Sequence, residues 1–166
     1  MKKLSIVYHS QSNTTAKLAN YVYSGCKKEA DVSVDLILAS NANAETLLSS
    51  DGIIFGTPEN FGYMSGVLKD FFDRTFYQVE DKQLNIPYCI FVSAGNDGLG
   101  AVSSIDRIVK GYPLNKIAEP LIISAKDIEQ ERERCEDFGH NMAAGLALSI
   151  FCLLYTSPSP RDRQKS

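Results

Sequence analysis

The stretch from Tyr8 to Ala19 holds the side chains best suited to gripping a ligand. Hydroxyl and amide groups follow one another from Ser10 through Gln11, Ser12, Asn13 and Thr14 to Thr15, with no Lys or Arg among them. Before them an apolar run ends in Leu4, Ile6 and Val7; after them a helical pattern places apolar residues at Leu18, Ala19, Val22, Tyr23 and Cys26. A strand that turns into a helix N-terminus through small polar residues makes an anion site. First-turn N–H groups lack intrahelical acceptors, and the positive end of the helix dipole points the same way. The guest this predicts is a phosphate held mainly by neutral donors. A plain polar turn with an N-cap is the other reading, because Ser, Asn and Thr are the usual capping residues. His9 either shapes the same pocket or is a partly buried structural histidine.

Two further loops carry chemistry-bearing residues. The first runs Gly56-Thr57-Pro58-Glu59-Asn60-Phe61-Gly62-Tyr63-Met64-Ser65-Gly66. Pro58 stiffens its entry, Gly62 and Gly66 permit close backbone approach, and Phe61, Tyr63 and Met64 supply aromatic and apolar surface. The second, Ser93-Ala94-Gly95-Asn96-Asp97-Gly98-Leu99-Gly100, offers backbone donors with little bulk. An aromatic wall, a glycine-rich wall and a phosphate seat between them suit a flat heteroaromatic ring carrying a phosphorylated side chain. Glu59 and Asp97 read as solvated loop carboxylates rather than catalytic groups. Asp73 and Arg74 read as a helix-surface charge pair.

The elements that must position these loops alternate. Strands are predicted at 3–8, 32–38, 52–57, 86–93 and 118–124, each short, rich in Val, Ile, Leu or Phe, and bounded by polar or Gly/Pro residues. Helices are predicted at 14–28, 44–49, 65–75, 100–110 and 127–151. Three of them carry clear apolar stripes: Val67, Leu68, Phe71 and Phe72; Ile105, Ile108, Val109 and Tyr112; Cys135, Phe138, Met142, Leu146 and Ile150. Strands alternating with helices predict parallel βαβ units with right-handed crossovers, hence an α/β three-layer sandwich. In such sheets ligands bind outside the carboxyl ends of the strands. The three polar loops fall there, after the first, third and fourth strands.

Composition narrows the class. With 166 residues, 44% of them hydrophobic and 22% charged, the chain has the make-up of one globular domain. A net charge of -3 and the lack of a Lys/Arg-rich run argue against a nucleic-acid partner. Met1-Lys2-Lys3 leads straight into a short strand, so no secretory signal is expected. The apolar run at 146–155 is too short for a membrane span. Cys26, Cys89, Cys135 and Cys152 lack C-x-x-C spacing, and with only His9 and His140 available no metal site is expected. A cytoplasmic location follows as the expectation. The segment from Cys152 to Ser166, beginning Cys-Leu-Leu-Tyr-Thr-Ser-Pro-Ser-Pro-Arg-Asp, resembles the translation of a sequencing adapter. Two regions are therefore expected: a domain over 1–151, and a non-native, disordered tail over 152–166 that has replaced the natural C-terminus.

Several motifs resemble those of the flavodoxin-like FMN-binding proteins, in the branch of NAD(P)H-dependent FMN reductases and quinone oxidoreductases. The first loop is similar to the family's H-S-x-[ST]-G-N-T pattern at His9, Ser10, Ser12 and Thr15. Asn13 stands where Gly is usual and Thr14 where Asn is usual, and Asn tolerates the left-handed conformation Gly would take. The second loop matches through Thr57-Pro58, Phe61-Gly62 and Met64-Ser65-Gly66, continuing into Leu68-Lys69 and Phe72-Asp73-Arg74. Ser93-Ala94-Gly95 fits the family's glycine-rich third loop.

The resemblance covers residues 3–151 and implies a flavodoxin-like five-stranded parallel sheet of order 2-1-3-4-5 with helices on both faces. It implies that Ser10, Ser12, Asn13, Thr14 and Thr15 bind the FMN phosphate. Thr57, Pro58, Glu59, Asn60, Phe61 and Gly62 would line one edge of the isoalloxazine, and Ser93, Gly95, Asn96 and Asp97 the other. The chemistry would then be the flavin's, with no catalytic protein side chain. The implied activity carries electrons from NAD(P)H through FMN to a quinone, flavin or similar small acceptor. A flavodoxin-type carrier without nicotinamide turnover is the alternative. The absence of G-x-G-x-x-G after the first strand, of a P-loop and of a G-x-S-x-G elbow argues against other nucleotide or hydrolase sites. Related reductases often complete the site across a dimer interface, so a homodimer or higher homo-oligomer is implied; Tyr63, Phe76 and Tyr77 read equally as interface aromatics or as core or surface ones.

Overall fold

A computed structural model describes residues 1–151. The proposed tail at 152–166 lies outside the described residues. In chain order the elements are β1 (Lys2–Tyr8), α1 (Thr14–Cys26), β2 (Val32–Leu38), α2 (Ala44–Leu48), β3 (Gly52–Pro58), α3 (Gly66–Val79), β4 (Pro87–Ala94), α4 (Leu99–Val109), β5 (Asn115–Lys116), β6 (Leu121–Ser124), a 3-10 turn at Ala125–Asp127, and α5 (Arg132–Ala147). Every strand pairing is parallel, in the order β2-β1-β3-β4-β5, with β6 also beside β4.

Alternation along the strands divides the core in two. Leu4 and Ile6 of β1, Ile54 of β3, and Cys89 and Phe91 of β4 face α1 and α5. Val7, Ile53, Phe55, Ile90 and Val92 face α2, α3 and α4. Both faces of the inner strands are covered, which is why they read as continuous apolar runs. The α1–α5 contact is close enough to demand glycine. A Cβ on Gly25 would overlap the Glu136 carbonyl, and one on Gly139 the Val22 carbonyl. The Cys26 thiol donates to Gly139 O at 3.2 Å, and burial pushes its pKa up to about 12. Among the described residues Cys26, Cys89 and Cys135 are free and buried, and no helix is long and apolar enough to cross a membrane.

Three elements differ from the sequence expectation. The fifth strand, predicted at 118–124, is two segments on one edge of β4. Pro87 pairs with Asn115 but Phe91 pairs with Leu121, so two extra residues bulge out between them. Pro120 lies in that gap, where it has no N–H to give to the ladder. Helix α3 runs on to Val79 because Val79 extends its buried stripe. The last helix starts at Arg132 instead of 127, after the 3-10 turn, and stops at Ala147; Ser149 then takes a φ of 55° and Ile150 is 43% exposed. Asp73 and Arg74 do not pair with each other. Asp73 takes Lys69, whereas Arg74 donates from Nε to Asp70 and from its two terminal nitrogens to the carbonyls of Ala42 and Ala39, tying α3 to the β2–α2 loop.

Candidate functional site

The carboxyl ends of β1, β3 and β4 bring the three polar loops to one rim. A cleft of about 300 Å³ lies between them, lined by Gln11, Ser12, Thr14 and Thr15 from the first loop, Pro58, Glu59 and Asn60 from the second, Ser93, Ala94 and Gly95 from the third, and Ala125 after β6.

The first loop is shaped for an anion. Asn13 caps α1 with a φ of 68°, the left-handed conformation expected where a Gly is usual, and its side chain makes no cap bond. Ser10 takes over part of that task, its Oγ accepting from the Ala16 N–H at 3.1 Å. The N–H groups of Thr14 and Thr15, in the first turn, have no intrahelical acceptor. That turn contains no acidic side chain to repel an anion. Thr15 is buried, and its hydroxyl is hydrogen-bonded to the Ser93 hydroxyl at 2.7 Å, so the first and third loops are joined beneath the cleft.

The second loop is held by its own polar groups. Thr57 Oγ1 donates to Pro58 O at 2.7 Å and accepts from Ser65 N–H at 2.9 Å, which commits this predicted site hydroxyl to the turn. Ser65 in turn caps α3 through Leu68 N–H. Glu59 N–H donates to Ser93 O at 3.0 Å, while its carboxylate accepts from Ala101 N–H at 3.2 Å, in the first turn of α4. Asn60 and Tyr63 exchange two backbone bonds at 2.9 and 3.0 Å around Phe61 and Gly62, whose φ values are 53° and 70°. Positive φ at both central residues is the type I′ hairpin geometry, unusual for a Phe at the first position.

The structure therefore separates the residues predicted from sequence. Ser12, Thr14, Thr15, Pro58, Glu59, Asn60, Ser93 and Gly95 meet at the cleft. Ser10, Asn13 and Thr57 shape the loops behind it. Phe61 stands fully exposed at the hairpin tip. Gly62 and Tyr63 line a neighbouring cleft with Ser103 and Arg107. Asn96 and Asp97 do not line the first cleft; Asp97 instead accepts from Leu99 N–H at 3.0 Å. The aromatic wall expected from Phe61 and Tyr63 is absent from this cleft, whose corresponding side is Pro58, Glu59 and Asn60. Gln11, Ala94 and Ala125 are the additions. Ala125 follows the last strand, so applying the carboxyl-end rule to every strand would have found it. His9 sits beside the site with its backbone N–H donating to Gly56 O, and burial holds the imidazole pKa below the ordinary 6.5.

Comparison with known proteins agrees with this architecture. Residues 38–112 match the family model of NADPH-dependent FMN reductases, a span that includes the second and third loops but not the first. A flavodoxin of Aquifex aeolicus is 26% identical over 90% of both chains. A quinone-oxidoreductase of Triphysaria versicolor is 31% identical over 59% of this chain, which spans only 58% of that relative's length. Among solved structures, a flavodoxin from the domain Archaea superposes with a TM-score of 0.73 at 18% identity, covering 87% of this chain and 98% of its own. The sheet order and the loops at its carboxyl rim give the chain a flavodoxin-like α/β fold, and its similarities are to flavodoxins and to FMN and quinone reductases.

Proposed function

We propose that the chain is an FMN-dependent oxidoreductase that takes electrons from NAD(P)H and delivers them to a quinone or a similar small acceptor. The observation that carries this reading is the convergence of loops 11–15, 58–60 and 93–95 on one cleft at the carboxyl rim. The residues present suit FMN. Ser12, Thr14 and Thr15, with the first-turn N–H groups, would hold the phosphate without a formal positive charge. Pro58, Asn60 and Ala94 would flank the ring. Gly95 fits as well: a Cβ there would meet no protein atom within 4 Å, so packing within the chain does not require glycine at that point of the cleft.

When bound, FMN supplies acceptance of two electrons from a nicotinamide and onward release of one or two. The chain's own groups bind and orient. With Thr15 bonded to Ser93, a Thr15 proton directed at the phosphate requires Ser93 to donate to Thr15. The Glu59 carboxylate is engaged by the α4 N-terminus, which makes it a brace for the second loop rather than an acid or base. Among the described residues Cys26, Cys89 and Cys135 are free and buried, in keeping with a reducing, cytoplasmic setting.

A carrier role is the second reading, favoured by the Aquifex flavodoxin that matches across 90% of both chains. One experiment separates the two. The full chain is loaded with FMN and followed by absorbance, without air, on addition of NADPH or NADH and then a quinone. Bleaching by nicotinamide and recovery with quinone is the expected result. A bound flavin that ignores nicotinamide yet accepts electrons from dithionite makes the protein a carrier. Failure to bind FMN defeats both readings.

A further inference from the structure

The neighbouring cleft at the Asn60–Tyr63 hairpin has a volume of about 510 Å³, with Gly62 and Tyr63 on one wall and Gly100, Ser103, Arg107 and Ile108 of α4 on the other. That volume lies within the range of about 300–1,000 Å³ that holds small ligands. Its walls are fixed to each other. A Cβ on Gly100 would overlap the Gly62 carbonyl. The buried Ser104 hydroxyl accepts from Met64 N–H at 3.1 Å and donates to Ala101 O at 2.7 Å. The Ala101 N–H in turn holds Glu59, which lines the first cleft, so the same hairpin and helix end border both spaces. Arg107 is the one charged group of the lining. Arg74, Arg132 and Arg134 are ion-paired, whereas Arg107 has no ion-pair or hydrogen-bond partner among the described residues. Its neighbour Asp106 is taken by Lys116 and by the Tyr88 hydroxyl. Beside this unpaired guanidinium, Tyr63 is 42% exposed and Ile108 is half-buried.

We propose that this groove binds the electron acceptor and favours acceptors that carry an acidic group on an aromatic ring, with Arg107 as the residue that sets that preference. The proposal rests on the oxidoreductase reading above. The ring would lie against Tyr63 and Ile108, which supply the apolar surface of the lining. The acid would meet the planar fork of Arg107, with the Ser103 hydroxyl as a second donor. No carboxylate lines the groove to oppose it. Because the two spaces flank one hairpin, an acceptor held there lies next to the loop that borders the first cleft. Arg107 also sits in the last turn of α4, where the helix dipole favours a cation; that accounts for its charge but not for the acid-free, half-aromatic groove it lines.

The test uses the FMN-loaded full chain, in which the first cleft is filled. Calorimetric titration with naphthalene-2-sulfonate, which takes no electrons, should give a Kd of about 1 mM or below, and the neutral 2-naphthol should bind about fivefold or more weakly. Arg107→Gln should weaken the sulfonate about fivefold or more, and Arg107→Lys should recover part of that loss, since it keeps the charge but not the planar fork. Ser103→Trp should weaken it to a similar degree by filling the groove. Both positions are exposed, and circular dichroism checks that each variant is folded. In turnover with NAD(P)H, the ratio of kcat/KM for 1,4-naphthoquinone-2-sulfonate to that for 1,4-naphthoquinone should fall about fivefold in Arg107→Gln. Sulfonate binding that Arg107→Gln or Ser103→Trp leaves unmoved, or an unchanged ratio, overturns the proposal while FMN binding and nicotinamide oxidation stand. A chain that binds no FMN, or whose flavin ignores nicotinamide, overturns the functional reading and the proposal with it.

Discussion

Thr15→Val should destabilise the flavin-free protein and weaken FMN binding through one broken contact. Thr15 is 2% exposed and Ser93 is 5% exposed, and their hydroxyl oxygens lie 2.7 Å apart. Valine keeps the shape of threonine, so the change leaves the Ser93 hydroxyl buried without its partner, at a cost of about 1–3 kcal/mol. Ser93→Ala strands the Thr15 hydroxyl at a similar cost of about 1–3 kcal/mol. Removing both forfeits only the net value of one hydrogen bond, about 1 kcal/mol. The double variant should therefore be more stable than the sum of the singles predicts, with a coupling of about 1 kcal/mol or more. The chain contains no Trp, so urea unfolding is followed by far-UV circular dichroism. Flavin titration adds the functional reading: Thr15→Val should weaken FMN about tenfold, the loss of one hydrogen bond to a charged oxygen. Ser93→Ala should weaken it less, since the Thr15 hydroxyl survives. Stability losses that simply add, within about 0.5 kcal/mol, would refute the pairing. Equal FMN affinities for wild type and Thr15→Val would remove Thr15 from the phosphate seat.

Three other perturbations probe the scaffold. Gly139→Ala drives a Cβ into the Val22 carbonyl, and because backbone lies on both sides the α1–α5 contact must open, costing about 1–3 kcal/mol in urea unfolding; an unchanged midpoint would contradict the close approach. Phe61→Asn should raise stability by about 1 kcal/mol, since an exposed Phe gains little from packing while holding a φ of 53° that Asn adopts more readily. A destabilised Phe61→Asn protein would mean that the aromatic ring supports the hairpin. Burial lowers the pKa of His9 in the folded chain, so the unfolded chain binds its proton first. This contribution to stability is intact above the ordinary value of 6.5 and declines as pH falls below it. Unfolding measured between about pH 7.5 and 5.5 should show that slope flatten in His9→Gln, and an identical slope in both proteins would deny the effect.

Much of the architecture is legible in the chain because it rests on local regularities. Short continuous apolar runs in β1, β3 and β4, the apolar stripes of α3 and α4, and polar punctuation between them specify parallel βαβ units and the rim where a ligand sits. The left-handed turn at Asn13 is a property of Asn and its neighbours, and it is visible without a fold. What the sequence withholds are relations between residues far apart in the chain. The fifth strand breaks because Pro120 meets the β4 ladder, and that ladder exists only after β4 has a neighbour. Phe61 reads as a wall of the site by its type, yet the two backbone bonds between Asn60 and Tyr63 turn it outward. Glu59 reads as a solvated carboxylate until folding sets the α4 N-terminus against it. Thr15 and Ser93, 78 residues apart, become one hydrogen-bonded pair. Residue type and spacing determine which elements form and which loops reach the rim. Only tertiary packing decides which donors remain free there, because a donor hydrogen engaged by one acceptor is not available to another.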